Sequence, residues 1–347
     1  MQADALGVKP QEQGALLTAR LGPELNVSFE EIVFSNLPSP QMNLEKWLEL
    51  AAAINTALNG AQSSQILGAV VLHGTDLLPE CAQTLHLCLN VEKPVVITGS
   101  MRAQGEQGYD GLRNLENAAR ICLALPGAGV VLACMGDEIF SALNVFKQNS
   151  VAPASMAAED GLLGRIAGQK AVFFRKELTD WAKGAEAAAQ AAQPVCCQPP
   201  RSKQHNPACF RRPLFNPQSL LERGLPPAGL ICARPGDDGL LVDLLLQSGI
   251  QGLVVEGFGA GNLPPLLARK LKAALAADLP VLLTTRCPRG GVHPIYAYEG
   301  GAKDLQEAGA ILCAQTTSSK ALIFLQMALA SQFSKSQLKD FFEQYDC

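Results

Sequence analysis

Residues 67–90 read LGAVVLHGTDLLPECAQTLHLCLN. An apolar run ends at His73-Gly74-Thr75-Asp76, after which Leu77, Cys81, Leu85 and Leu89 recur four apart along one face of a helix. A buried strand that feeds a helix in this way is the unit from which parallel α/β sheets are built, and ligands of such sheets collect beyond the carboxyl ends of the strands. The glycine lets the backbone turn sharply or approach a ligand. Thr75 and Asp76 fall at the helix entrance, where N–H groups and the helix dipole favour negative charge. On these four residues alone, Asp76 as a plain helix cap and Thr75 as an incidental hydroxyl account for the stretch equally well.

The same grammar extends outward. PVVITGS (94–100) and GVVLACM (129–135) read as strands, and NLEKWLELAAAINTAL (43–58) and DGLRNLENAARICLAL (110–125) as amphipathic helices. Asp110 is placed to cap the second helix, with Leu112, Leu115, Ala119 and Cys122 forming its stripe. The pattern resumes at Gly229 with the strands GLICAR, GLVVEG, PVLLTT and GAILCA, interleaved with helices near 239–247, 264–277 and 303–308 and closed by helices at 319–331 and 335–345. The expectation is therefore an α/β protein. Its larger N-terminal domain (1–176) has a mostly parallel sheet flanked by helices, and its smaller C-terminal domain (228–347) is a parallel α/β unit. Residues 177–227, rich in proline with an Ala/Gln run and the basic cluster RSKQHNPACFRR, read as a solvated linker.

Composition narrows the functions. The 347 residues hold 28 Lys+Arg against 32 Asp+Glu, a net charge of −4, so no basic field points to nucleic acid. No stretch reaches the ~18 apolar residues of a membrane span. MQADALGVKPQEQ lacks the features of a signal peptide, which gives cytoplasmic localisation as the expectation. The eleven cysteines show no CxxC spacing and read as reduced core residues. The four histidines, His73, His86, His205 and His293, have no cysteine at zinc-ligand spacing, so no metal is expected. His73 reads as a local hydrogen-bonding residue, and Cys287 lacks the histidine and acid a thiol nucleophile needs.

GDEIFSALNVFKQNS (136–150) follows the third strand and carries a lone Lys147. A threonine hydroxyl is a weak nucleophile without a neighbouring base, a lysine can serve as that base, and a carboxylate can steer the lysine or hold a substrate ammonium. Thr75, Asp76 and Lys147 are accordingly the candidate catalytic set.

HGTDLLPECAQTL, KPVVITGSMR, YDGLRNLENA, GDEIFSALNVFKQN, GLVVEGFGAGNLPP and ALIFLQMALA, in this order, resemble the bacterial-type L-asparaginases. The resemblance implies hydrolysis of the side-chain amide of L-asparagine, with L-glutamine in some members, to the acid and ammonia without a cofactor. It gives Thr75, Asp76 and Lys147 the roles of a Thr-Asp-Lys set. It implies substrate binding by Ser39, Gly74, Thr75, Asp76 and Ser100, with Asn262 completing a neighbouring subunit's site, and hence a homodimer or homotetramer. Glu299 is a weaker match to a neighbouring acidic residue. Pro40, beside Ser39, departs from the pattern because proline has no N–H to donate.

Members of this family open with an apolar strand running into Thr-Gly-Gly-Thr-Ile, whose first threonine is the usual nucleophile. No TGGT occurs in these 347 residues, and the first twenty or so resemble the loop that follows that motif. Either the chain begins late or it is a homologue without its nucleophile. The expectation drawn from this is poor folding and very slow or absent turnover, because neighbours of a missing strand keep unpaired backbone groups. Three rival readings remain. One is a nucleotide-binding oxidoreductase, supported only by GFGAGN (257–262). Another is a non-catalytic homologue acting as a binding or scaffold protein, and the third an amidase acting on mischarged transfer RNA.

Overall fold

The computed structural model describes residues 2–4, 7–9, 14–61, 63–190 and 213–345. The chain divides into two compact units, Met1–Leu214 and Phe215–Cys347. The first begins with a short antiparallel ribbon, β1 (Gln2–Asp4) and β2 (Gly7–Lys9), followed by α1 (Gly14–Leu25). A 3-10 turn at Ser39–Gln41 leads into α2 (Leu44–Asn59), whose entry is capped by Asn43 accepting from Lys46 N–H at 3.0 Å. Trp47, Leu48, Ala51, Ile54 and Leu58 make its buried stripe.

The sheet then builds through β3 (Ala69–Leu72), α3 (Leu78–Cys88), β4 (Val95–Thr98), α4 (Gly111–Ala124) and β5 (Val131–Met135). β3, β4 and β5 pair in parallel, as strand–helix alternation requires. Every residue of β4 and β5 is buried, the signature of strands covered on both faces. β3 is the terminal strand of the sheet, and Leu72 at its end is 52% exposed. Upstream, residues 27–38 run without helix or strand and leave Ile32 and Val33 mostly exposed.

Beyond β5 the pairing changes sense. β6 (Glu138–Ser141), β9 (Leu162–Ala167) and β10 (Lys170–Phe173) extend the sheet in antiparallel fashion, giving the order β10-β9-β6-β5-β4-β3. The expected parallel arrangement therefore holds for one half of this sheet only. The cause is chain length. Gly136 and Asp137 alone connect β5 to β6, with Gly136 at φ +60°, and so short a link can close only a hairpin. Between β6 and β9 lies a separate two-stranded ribbon, β7 (Val145–Lys147) and β8 (Met156–Ala158).

Residues 177–190, read from sequence as the head of the linker, form most of α5 (Lys176–Gln190). Alanine is the best helix former, so an Ala-rich run free of proline is helical when one side can pack. Here Leu178 is fully buried and Trp181 Nε1 donates to Pro126 O at 2.8 Å. Residues 191–212, with the basic cluster and Cys196-Cys197, lie outside the described residues.

The second unit holds α6 (Pro217–Arg223), β11 (Gly229–Cys232), α7 (Leu240–Gln247), β12 (Leu253–Gly257), α8 (Pro265–Ala276), β13 (Val281–Thr285), α9 (Ala302–Glu307), β14 (Ile311–Leu312), α10 (Ser318–Ala330) and α11 (Lys335–Tyr345). Its strands pair in parallel in the order β11-β12-β13-β14. Val255, Leu267, Leu271, Leu283 and Leu305 form its core. The two-unit α/β architecture anticipated from strand–helix alternation is the one observed. Among the described residues no helix is long and apolar enough to cross a membrane.

Candidate active site

The turn at the end of β3 carries the first candidate groups. Main-chain pairing runs one residue past the strand, His73 N–H donating to Thr98 O at 2.9 Å, and the chain then turns through Gly74-Thr75-Asp76 into α3. Gly74 is required by its surroundings. A Cβ on it would fall 2.7 Å from Ser39 Oγ and 2.8 Å from Ser39 Cβ, so only hydrogen lets these two segments touch. Gly99, after β4, is similarly constrained, because a Cβ there would lie 2.4 Å from His73 O and 3.2 Å from Thr75 Cγ2. Two glycines thus let the ends of β3 and β4 and the entry to α2 converge, with Ser39 buried, Thr75 and Ser100 half-buried and Asp76 exposed.

Lys147 arrives from the β7–β8 ribbon. Its Nζ donates to Thr75 Oγ1 at 2.9 Å and to Asp76 Oδ1 at 2.7 Å, across more than seventy residues of sequence. The ribbon holds it in register opposite Met156, and the turn is closed by Gln148 N–H to Ser155 O at 2.8 Å and by Asn149 Oδ1 accepting from Val151 and Ala152 N–H. A hydroxyl within hydrogen-bond reach of an amine, itself held by a carboxylate, is the arrangement of nucleophile, base and orienting acid.

Ser100 sits on a loop that is pinned to α4. Asp110 occupies the N-cap position, but its carboxylate makes no cap bond to the helix. It accepts instead from Met101 N–H at 3.1 Å, Arg102 N–H at 3.0 Å and Asn114 Nδ2 at 3.0 Å. The expected cap is thereby redirected backwards, since two unpaired amides of the 100–103 loop lie within its reach and make a charge-assisted pair of bonds. Asn114 Nδ2 also donates to Gly99 O at 2.9 Å.

The local hydrogen bond that the sequence suggests for His73 is present, and Trp47 is a second partner that it does not reveal. Its Nδ1 lies 2.7 Å from Gly74 O, and its Nε2 accepts from Trp47 Nε1 of α2 at 3.2 Å. Burial holds its pKa below the ordinary 6.5, partly countered by the Gly74 bond and by the charge of Glu80. Trp47 was legible only as a core residue of its helix, four positions after the cap.

In the second unit, Asn262 lies in the turn after β12. It exchanges main-chain bonds with Phe258 at 2.8 Å, and its Oδ1 accepts from Ala302 N–H at 3.4 Å. Glu299 is engaged by Arg269 through two bonds, 2.6 and 3.0 Å, which hold its carboxyl below the usual range. The thiols of Cys81, Cys88 and Cys134 are pushed up by burial, and that of Cys122 to about 12, so these are inert core groups. Among the described residues no three His, Cys, Asp or Glu side chains gather as metal ligands.

Comparison with known proteins bears on both units. Residues 1–179 match the family "Asparaginase, N-terminal" and residues 229–342 the family "Glutaminase/Asparaginase C-terminal domain". A probable L-asparaginase of Deinococcus radiodurans is 33% identical over 345 residues, covering 97% of this chain and 93% of its own. An L-asparaginase of Bacillus licheniformis is 30% identical, covering 95% and 94%. The crystal structure of a probable cytoplasmic L-asparaginase from Campylobacter jejuni superposes with a TM-score of 0.74 at 24% identity, covering 95% of this chain and 93% of that one, a likeness of fold.

Proposed function

The chain belongs to the bacterial-type asparaginase family of hydrolases, and from that premise we propose that it hydrolyses the side-chain amide of L-asparagine to L-aspartate and ammonia. The observation that carries this reading is the convergence of Thr75, Asp76 and Lys147 within hydrogen-bonding distance at the end of β3. In this reading the amide carbon is attacked by an oxygen nucleophile. Lys147 manages the Thr75 proton, Asp76 holds Lys147 and the substrate ammonium, and the released nitrogen leaves protonated as ammonia while water completes the acid. Ser39, beside Gly74, takes the substrate carboxylate, and Ser100 and its loop receive the amide. Asn262 serves the site of a second copy, which makes the working form a homo-oligomer.

Turnover by these 347 residues alone is slow in this proposal. Two observations support that part: the sequence contains no Thr-Gly-Gly-Thr, and β3 ends the sheet with Leu72 half exposed. Ammonia release from asparagine and from glutamine, measured for this chain and for one extended at its N-terminus by a strand bearing that motif, tests both parts. Release above the spontaneous rate that is abolished by Thr75→Val supports the reaction. No release from either chain, with both folded, overturns it.

A further inference from the structure

The bridge through His73 fixes one protonation state. A carbonyl oxygen can only accept, so the nitrogen 2.7 Å from Gly74 O must carry the proton. An indole N–H can only donate, so the nitrogen facing Trp47 must be bare. The ring is therefore neutral and protonated on Nδ1. Adding a second proton would set N–H against N–H at Trp47, which is why a half-buried ring in this position resists protonation.

What the bridge connects matters more than the bridge itself. One end is α2, whose entry carries Ser39, and the other is the turn that carries Thr75. Ser39 already lies against Gly74 closely enough to exclude a methyl group. The Gly74–Thr75 peptide is planar and trans, so holding Gly74 O toward His73 turns Thr75 N–H the opposite way and fixes the frame from which the Thr75 hydroxyl projects toward Lys147.

Building on the asparaginase reading above, we propose that His73 is a positioning residue, a neutral strut between Trp47 and Gly74 that sets the spacing of Ser39 from Thr75. It touches neither substrate nor reacting atoms. It acts through the turn, and Trp47 is part of the same device.

Three variants and two readouts test it. His73→Phe keeps the ring volume and removes both bonds. His73→Asn places an amide where Nδ1 stood and retains a donor for Gly74 O. Trp47→Phe removes the indole N–H. With melting temperature unchanged, His73→Phe is expected to lower kcat/KM about 100-fold, divided between a raised KM and a lowered kcat, the effect of misplacing reacting groups by about an ångström. His73→Asn is expected to recover about tenfold of that loss, a factor that one restored bond can supply. A His73→Phe protein that folds and keeps both constants at wild-type values overturns the proposal.

Nitrogen-15 spectra of histidine-labelled protein provide the readout that does not depend on turnover. The expected signal for His73 is a neutral ring protonated on Nδ1 that persists below pH 6.5 and loses this resistance in Trp47→Phe. A ring protonated on Nε2, or one titrating at its ordinary value in the wild type, overturns the strut. Absence of ammonia release from both the wild type and the N-terminally extended chain refutes the reaction assignment alone, and the spectra then decide the strut separately.

Discussion

Replacing Lys147 by methionine separates chemistry from stability. The substitution keeps an unbranched side chain of similar length and removes the donor to Thr75 Oγ1 and Asp76 Oδ1. The stability at stake is small. The Asp76 side chain is 60% exposed, so its ion pair with Lys147 contributes about 0–1 kcal/mol. The hydrogen bond to Thr75 adds about 1 kcal/mol. A loss of roughly 1–2 kcal/mol from a domain stable by about 5–15 kcal/mol leaves well over 99% of molecules folded. The catalytic stake is larger, since a positioned proton-transfer group is worth about 10²–10⁴-fold in rate, or roughly 3–5 kcal/mol of barrier. Lys147→Met is thus expected to lower kcat by two to four orders, about the span just given, while melting shifts by only a few degrees. The assay is coupled ammonia release from asparagine in parallel with a thermal melt followed by circular dichroism. A variant that retains kcat within threefold, or one whose activity falls only because the protein has melted, would refute the reasoning.

Three further expectations follow from the same geometry. Gly74→Ala forces Ser39 away from the turn, because the added Cβ would fall 2.7 Å from its Oγ; KM for asparagine should rise about tenfold or more with a smaller change in kcat, and an unchanged KM would remove Ser39 from the binding site. Asp110→Ala leaves the Met101 and Arg102 amides without their acceptor, so it should destabilise by about 1–3 kcal/mol by urea titration and loosen the Ser100 loop. Because burial lowers the pKa of His73 in the folded state, the unfolded chain binds this proton first. Stability is therefore complete above about pH 6.5 and lost as pH falls from there through the lowered folded value, and the wild type should lose more than His73→Asn between pH 7.5 and 5.

The parts of this molecule legible in sequence share one property, which is that they are local. Strand followed by glycine followed by helix is written within about ten residues, and that pattern alone puts Thr75 and Asp76 at a strand end. The stripe of α2 and the continuous apolar runs of β4 and β5 were likewise readable from periodicity and burial on both faces. The antiparallel half of the first sheet was not. Two of its strands, β6 and β10, follow two-residue links, and GDEIFSALN reads as the segment before a lysine instead of as a strand. The three-residue strands of the Lys147 ribbon are too short to show any period. Asp110 was legible as a residue at a helix entrance, but not the direction in which its carboxylate would turn, because that depends on amides displaced by nine residues and a loop.

The same distinction governs how the candidate site is held together. Its contacts between Ser39, Gly74, Gly99 and Thr75 are backbone-close and rest on elements with buried faces, so they have little freedom to adjust. Lys147 instead comes from a two-stranded ribbon, and such a ribbon alone is marginal in water. Its position is set by the buried Val145 and Met156 of the ribbon, by the bonds its own ammonium makes and by the Asn149 turn behind it. The amine thus reaches the site from outside the main sheet, and the hydroxyl from the turn that ends β3. In the proposed reading a lysine is delivered to the strand-end turn by a separate element, and the geometry of the turn has to be set from its other side. The half-buried imidazole between Trp47 and Gly74 is the group proposed to set it.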